Sequence, residues 1–156
     1  MSGVEFQIAK VSLKDLNQKR FLEFADHWSE GHKFWIPESC RETFDKSENL
    51  IASAACVDQT GHWLGWYMAI KNGDDMELLW IFVMPHARAK GISKHLMNHL
   101  IAESRNTFRS EKIFLEVRAG NHPAIKLYES FGFKLLSRRP AYYSDGEDAF
   151  VYQLSI

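Results

Sequence analysis

The sequence predicts an α/β fold in three layers, α/β/α, with helices on both sides of a mixed sheet. Two patterns lead there. Residues 78–83, Leu-Leu-Trp-Ile-Phe-Val, are an unbroken apolar run, followed by a short loop, an amphipathic helix and a second apolar strand over residues 112–117. That order is a strand, a crossover helix and a parallel neighbour. Ahead of it, two turn signals, Asp58-Gln-Thr-Gly61 and Asn72-Gly73-Asp-Asp75, fold three strands into an antiparallel meander. The whole chain reads β-α-α-β-β-β-α-β-α-β-β. It carries no repeat, low-complexity run or linker, so residues 1–156 are expected to form a single domain.

Taken in order, residues 4–11 alternate loosely and suit a first strand. Residues 13–28 place Leu13, Leu16, Phe21, Phe24, Ala25 and Trp28 at helical spacing. Residues 31–37 form a loop whose Phe34 and Trp35 either plug the core or wall a pocket. Residues 38–49 read as a second helix with Glu38, Glu42 and Asp45 on one side, a solvated face or a docking surface for a basic substrate. Residues 50–57 and 63–70 are the first two strands of the meander. The run 78–83 is the third, apolar throughout as a strand covered on both faces should be, and Pro85 stops it.

The next helix carries Ile92, Leu96, Leu100, Ser104 and Phe108 along one side. After the strand 112–117 comes a short loop, 118–122, and a helix starting near Pro123 with Ala124, Leu127, Tyr128 and Phe131 on its apolar side. Gly132 ends that helix. Residues 133–137 and 149–154 are the last strands, separated by Tyr142-Tyr-Ser-Asp-Gly146.

Nineteen Lys and Arg against 20 Asp and Glu leave a net charge of −1, which gives no electrostatic case for nonspecific nucleic-acid or membrane binding. Cys40 and Cys56 have neither metal nor redox spacing and are expected to be reduced thiols. No apolar leader and no bilayer-length apolar run is evident, so a cytoplasmic protein is expected, as a monomer or homodimer. At 156 residues one domain buries roughly two thirds of the surface of its unfolded chain.

The chemistry concentrates after the central strand, in Arg88-Ala-Lys-Gly91-Ile-Ser93. A helix's first turn leaves backbone N–H groups without intrahelical partners, and the peptide dipoles add positive potential there. Gly91 lets backbone approach an anion, Ala89 and Ser93 stay out of the way, and Arg88 and Lys90 add full charges. With Ile92 anchoring the turn, the segment is a cradle for a phosphate or pyrophosphate, or else a loop glycine beside solvated cations. It is neither a nucleotide P-loop nor a Gly-x-Gly-x-x-Gly turn. Glu116 interrupts the strand Ile113-Phe-Leu-Glu-Val117, and an acid inside a sheet needs a reason: outward alternation, a pair with Arg118, or function. His95 and His99 stand four apart on one helix, a metal-like spacing without a third ligand in view, and no metal is expected.

These segments resemble the GNAT N-acetyltransferase superfamily, whose acetyl-CoA signature, Gln/Arg-x-x-Gly-x-Gly/Ala, matches Arg88-Ala-Lys-Gly91-Ile-Ser93 except for the final serine. Leu115-Glu-Val-Arg-Ala-Gly-Asn121, Ala124-Ile-Lys-Leu-Tyr-Glu-Ser-Phe-Gly-Phe133, Arg138-Arg139, Tyr142-Tyr143 and Gly146-Glu-Asp-Ala149 are similar to the ribosomal-protein-alanine N-acetyltransferases in particular. The likeness covers residues 78–156. Met84 stands where the family often has Asp, and the loop 139–147 is spaced differently.

The resemblance implies a GNAT-like sheet whose central parallel strands splay apart. It implies acetyl-CoA as cosubstrate, its pyrophosphate on residues 88–93 and its pantetheine arm on backbone groups of Ile81, Phe82 and Val83, with Asn121 and Tyr128 nearby. It makes Glu116 the general base and Tyr128 the general acid toward the departing sulfur, and Glu77, at the start of the central strand, is the second choice for base. The implied acceptor is a primary amine, with the N-terminal α-amine of a ribosomal protein as the candidate. A small-molecule amine, or a module that binds acyl-CoA without catalysis, are the alternatives.

Overall fold

The computed structural model describes residues 5–11 and 50–156. The helices expected over 13–28 and 38–49, together with Phe34, Trp35 and Cys40, lie outside the described residues. Seven strands form one sheet in the order β1-β2-β3-β4-β5-β7-β6. They are β1 (Phe6–Lys10), β2 (Ile51–Asp58), β3 (Trp63–Asn72), β4 (Asp75–Val83), β5 (Lys112–Arg118), β6 (Lys134–Arg139) and β7 (Ala149–Ser155). Helix α1 (Ile92–Asn106) joins β4 to β5, and α2 (His122–Ser130) joins β5 to β6. β4 and β5 run parallel and the other pairs antiparallel, as the crossover and the turn signals predict.

Helix α1 lies across β2, β3 and β4 and buries Ile92, Leu96, Met97 and Leu100 in a core shared with Trp66, Met68, Met76, Ile113 and Leu115. Its close approach is set by Gly65 on β3. A Cβ there would meet the Phe82 carbonyl oxygen at 2.9 Å, Ile92 at 3.0 Å and Leu96 at 3.1 Å. Some polar side chains within this layer are linked in pairs. The Trp66 indole donates to Ser53 (2.7 Å), whose hydroxyl donates to the Tyr67 carbonyl, and the Tyr67 hydroxyl bonds His99 Nδ1 (2.9 Å). His95 packs edge-on against Phe6. The two α1 histidines thus have neighbours of their own, and no metal-holding cluster occurs among the described residues. No helix among them is long and apolar enough to cross a membrane.

The sheet opens in the middle. β4 pairs with β5 from Asp75 opposite Lys112 to Leu78 opposite Leu115, and there the pairing stops. Beyond that point β4 continues to Val83 against β3, and β5 continues to Arg118 against β7. The β3–β4 register shifts at the same level: Leu78 faces Ala69 but Trp80 faces Met68, so Leu79 is an extra residue. A bulge of this kind bends its strand and sharpens the twist, which carries β4 away from β5. The splay is therefore built into β4.

Candidate active site

Two groups of residues flank the opening. The first lies where β4 leads into α1. After a 3-10 turn (Pro85–Ala87) and an extended Arg88, Ala89 and Gly91 take left-handed conformations, φ +60° and +79°. Gly91 is the N-cap and no side chain caps the helix. The Lys94 and His95 amides both donate to the Gly91 carbonyl, while those of Ile92 and Ser93 precede the first intrahelical bond. Left-handed turns at a helix start gather N–H groups into an anion-binding concavity. Ala89, not a glycine, holds this conformation at a cost of about 1–2 kcal/mol, the kind of strain that binding sites retain.

Ile92 is fully buried and fixes the turn, and Ser93 is half-buried beside it. Lys90 is exposed. Arg88 is exposed too, but its Nε donates to the Val83 carbonyl (3.2 Å) and its guanidinium lies 5.7 Å from the Phe82 ring centre. It ties the loop to the end of β4. Ile81, Phe82 and Val83 belong to the part of β4 that has left β5.

The second group sits at the throat. Glu116 is the first β5 residue beyond the last β4–β5 pair, and Glu77 lies one residue before the corresponding end on β4. Glu77 is opposite Phe114, and Phe114 and Glu116 share a face, so both carboxylates project on the same side of the sheet. Arg139, from the end of β6, reaches Glu116 with Nη1 2.9 Å from Oε1. The two face each other across β7: Glu116 is opposite Val151, and Arg139 is opposite the small, buried Ala149 two residues away. The Tyr142 hydroxyl donates to Glu116, which pushes that phenol above its ordinary value, and its ring lies 5.3 Å from the Arg139 guanidinium. Burial, and then the charge of Glu116, push the Glu77 carboxyl above the usual carboxylate range, with Arg139 opposing.

Arg118 is not the partner of Glu116. Its guanidinium bonds Asp145 (2.8 Å) and Glu147 (2.7 Å) and lies 4.0 Å above the Tyr143 ring. Glu147 also accepts the Gly120 N–H at 2.8 Å, and the Asp148 carbonyl accepts from Ala119. The β6–β7 loop is thus clamped to the β5–α2 loop. Asn121 in the latter caps α2 by accepting the Ala124 N–H (3.3 Å). Tyr128, buried on α2, packs 5.9 Å from Phe133. Burial first, and Tyr143 second, keep its phenol well above the ordinary value, so it remains protonated. Burial also pushes the Tyr143 phenol above its ordinary value, with Arg118 opposing and Glu116 adding.

The structure therefore gathers Glu77, Glu116, Tyr142 and Arg139, while Tyr128 is buried on α2 against Phe133. Arg139 and Arg118 escape a reading by strand and helix. Their signal is charge balance: two neighbouring acids inside a sheet call for a cation, and three acids in the loop 145–148 call for others.

Glu77 carries a pH prediction. Its native carboxyl binds a proton more tightly than the unfolded one, so its contribution to stability is complete below the unfolded value and is lost as pH rises through the folded one. Glu77→Gln should raise the melting temperature relative to wild type by an amount that grows from pH 5 to pH 8, as thermal melts across that range will show.

Comparisons with known proteins agree with this fold. The family described as Acetyltransferase (GNAT) matches residues 12–133. An N-alpha-acetyltransferase of Saccharolobus solfataricus is 42% identical over 71 residues, 46% of this chain and 42% of that protein. A [ribosomal protein bS18]-alanine N-acetyltransferase of Escherichia coli is 41% identical over 86 residues, 53% of this chain and 57% of that one. The chain thus spans about half the length of these relatives. The crystal structure of the Escherichia coli ribosomal-protein-S18-alanine N-acetyltransferase superimposes with a TM-score of 0.79 at 28% identity, covering 97% of this chain and 94% of the other.

Proposed function

We propose, for a chain that belongs to the GNAT acetyltransferase family, transfer of an acetyl group from acetyl-CoA to the N-terminal α-amine of a protein, with a small-subunit ribosomal protein as the acceptor. The observation that carries the reading is the throat itself, where the uncapped start of α1 and the carboxylates Glu77 and Glu116 flank one opening in the sheet. The relatives named for acetylating ribosomal protein bS18 support the choice of acceptor.

In this reading the pyrophosphate of acetyl-CoA rests on the amides around Gly91–Ser93, with Arg88 and Lys90 beside it. The pantetheine arm runs along Ile81–Val83 as an added strand, with Asn121 across from it. A backbone N–H near Val83 polarises the acyl carbonyl. The ammonium first loses one proton to solvent through a throat carboxylate. The neutral nitrogen then bonds the acyl carbon as the carbon–sulfur bond breaks, its second proton passes to the carboxylate and the sulfur takes one from Tyr128. An α-amine has a pKa of about 7.7–8.0 against about 10.4 for lysine, so it needs only a modest base near neutrality. Glu116 is that base, and Glu77, whose carboxyl holds a proton more readily than usual, is placed to share it. The same reading sets the enzyme in the cytoplasm, where acetyl-CoA and new ribosomal proteins meet.

Incubation with acetyl-CoA and a basic peptide beginning with alanine should release CoA thiol and add one acetyl group to the peptide's first residue, read by mass spectrometry. Turnover of lysine side chains or small amines alone overturns the acceptor. CoA binding without turnover of any amine overturns catalysis.

A further inference from the structure

We propose that Arg139 is a placeholder for the acceptor's ammonium group: it occupies Glu116 until the acceptor arrives, and the acceptor enters by displacing one cation with another. The inference rests on the reading of the throat as the acceptor's site and adds a residue that sets how tightly acceptors bind.

Three observations carry it. The Arg139 guanidinium is seated on Glu116 at 2.9 Å, the position a protonated amine would take before giving up its proton. Its side chain remains 53% exposed at the end of an edge strand, so no core packing holds it there. A resting place is also at hand, because the Tyr142 ring lies 5.3 Å from the guanidinium and can hold a cation by its face after Glu116 has been given up.

The neighbouring arginine shows the contrast. Arg138 is bonded through Nε to Asp148 (2.6 Å), which also accepts the Ala141 N–H, and this fixes the turn. Adjacent cations thus have different tasks: Arg138 shapes the loop, and Arg139 reaches over Ala149 to the reacting carboxylate.

Charge counting favours an exchange. When both are ionised, Glu77 and Glu116 carry two negative charges against the one positive charge of Arg139. An entering ammonium that takes Glu116 while Arg139 stays on the Tyr142 ring brings the site to neutrality. Neutral amines gain nothing from that exchange, so the device favours acceptors that arrive protonated, as peptide N termini do near neutral pH.

The test compares wild type, Arg139→Gln and Arg139→Lys by steady-state kinetics with the alanine peptide, alongside CoA affinity and melting temperature to register folding. A placeholder lowers apparent affinity by the fraction of time it occupies the site, so Arg139→Gln should lower the acceptor KM about 5–10-fold with kcat nearly unchanged. Arg139→Lys, which keeps the charge, should hold KM near the wild-type value. Methylguanidinium should compete with the acceptor in Arg139→Gln far more strongly than in wild type. An acceptor KM that is unchanged or raised in Arg139→Gln, or a loss confined to kcat, overturns the proposal, the latter making Arg139 a positioning residue for Glu116. If wild type acetylates a small amine and no peptide, the proposed acceptor falls while the placeholder is still read with that amine. If nothing is turned over, calorimetric binding of the peptide to the CoA complex decides, and binding no tighter in Arg139→Gln overturns it.

Discussion

Tyr128→Phe should lower the turnover of acetyl transfer by about 10²–10³-fold, the range for loss of a proton donor in the transition state, while CoA binds as it does to wild type. The ring keeps its place against Phe133, and the substitution removes one oxygen atom, so folding should be unaffected. In the proposed mechanism the effect belongs to kcat, because a donor to sulfur matters only as charge develops there. Burial and the nearby Tyr143 hold the phenol in its protonated form, which sets the sign of the pH response. Wild-type activity should not fall on the alkaline side through loss of the Tyr128 proton, and the variant's profile should keep the same shape at a lower level. Thiol-release assays against pH, with calorimetry for CoA, check both parts. Unchanged turnover would leave a protein that binds acyl-CoA with Tyr128 as mere packing.

Gly65→Ala should cost about 1–3 kcal/mol of stability, as overpacking of a tight contact does. For a chain of this size that is a fall in melting temperature of about 2–4 °C per kcal/mol. The added carbon would meet the Phe82 carbonyl, backbone that cannot rotate aside, as well as Ile92 and Leu96. Relief requires α1 to lift from β3 at its first turn or β4 to shift near Val83. Both belong to the proposed CoA site, so CoA affinity should fall well beyond what the loss of stability alone explains. Thermal melts and CoA titrations of the variant at a temperature where it remains folded separate the two effects. A variant that is destabilised but binds CoA normally would show that the position of α1 does not govern the cradle.

Much of this architecture is legible from local pattern. The apolar run of β4, Pro85, Gly91 and the spacing of Ile92, Leu96 and Leu100 place the parallel pair and its crossover helix, and the bounds of α1 and β5 follow closely. The bulge at Leu79 is not legible, because a strand that is apolar at every position has no alternation for an extra residue to break. Glu116 stands out as a charge in a sheet, but its partner does not. Arg118 is the nearest cation in sequence and shares its face, yet Asp145 and Glu147 claim it through a loop whose path depends on tertiary contacts. Arg139 is brought to Glu116 only by the β6–β7 register, itself shifted between Leu135 and Ser137. Asn121 shows the helix-capping role that its place before Pro123 also allows.

β6, the last strand of the sheet, is exposed along its whole length and has Leu135 and Leu136 more than half accessible. The proposed placeholder thus sits on an outer margin of the sheet, whereas the first turn of α1 rests on Ile92 and Gly65 in the packed interior. On the proposed reading, a lineage could retune which amines it admits by editing that outer ribbon, and leave its hold on the nucleotide untouched.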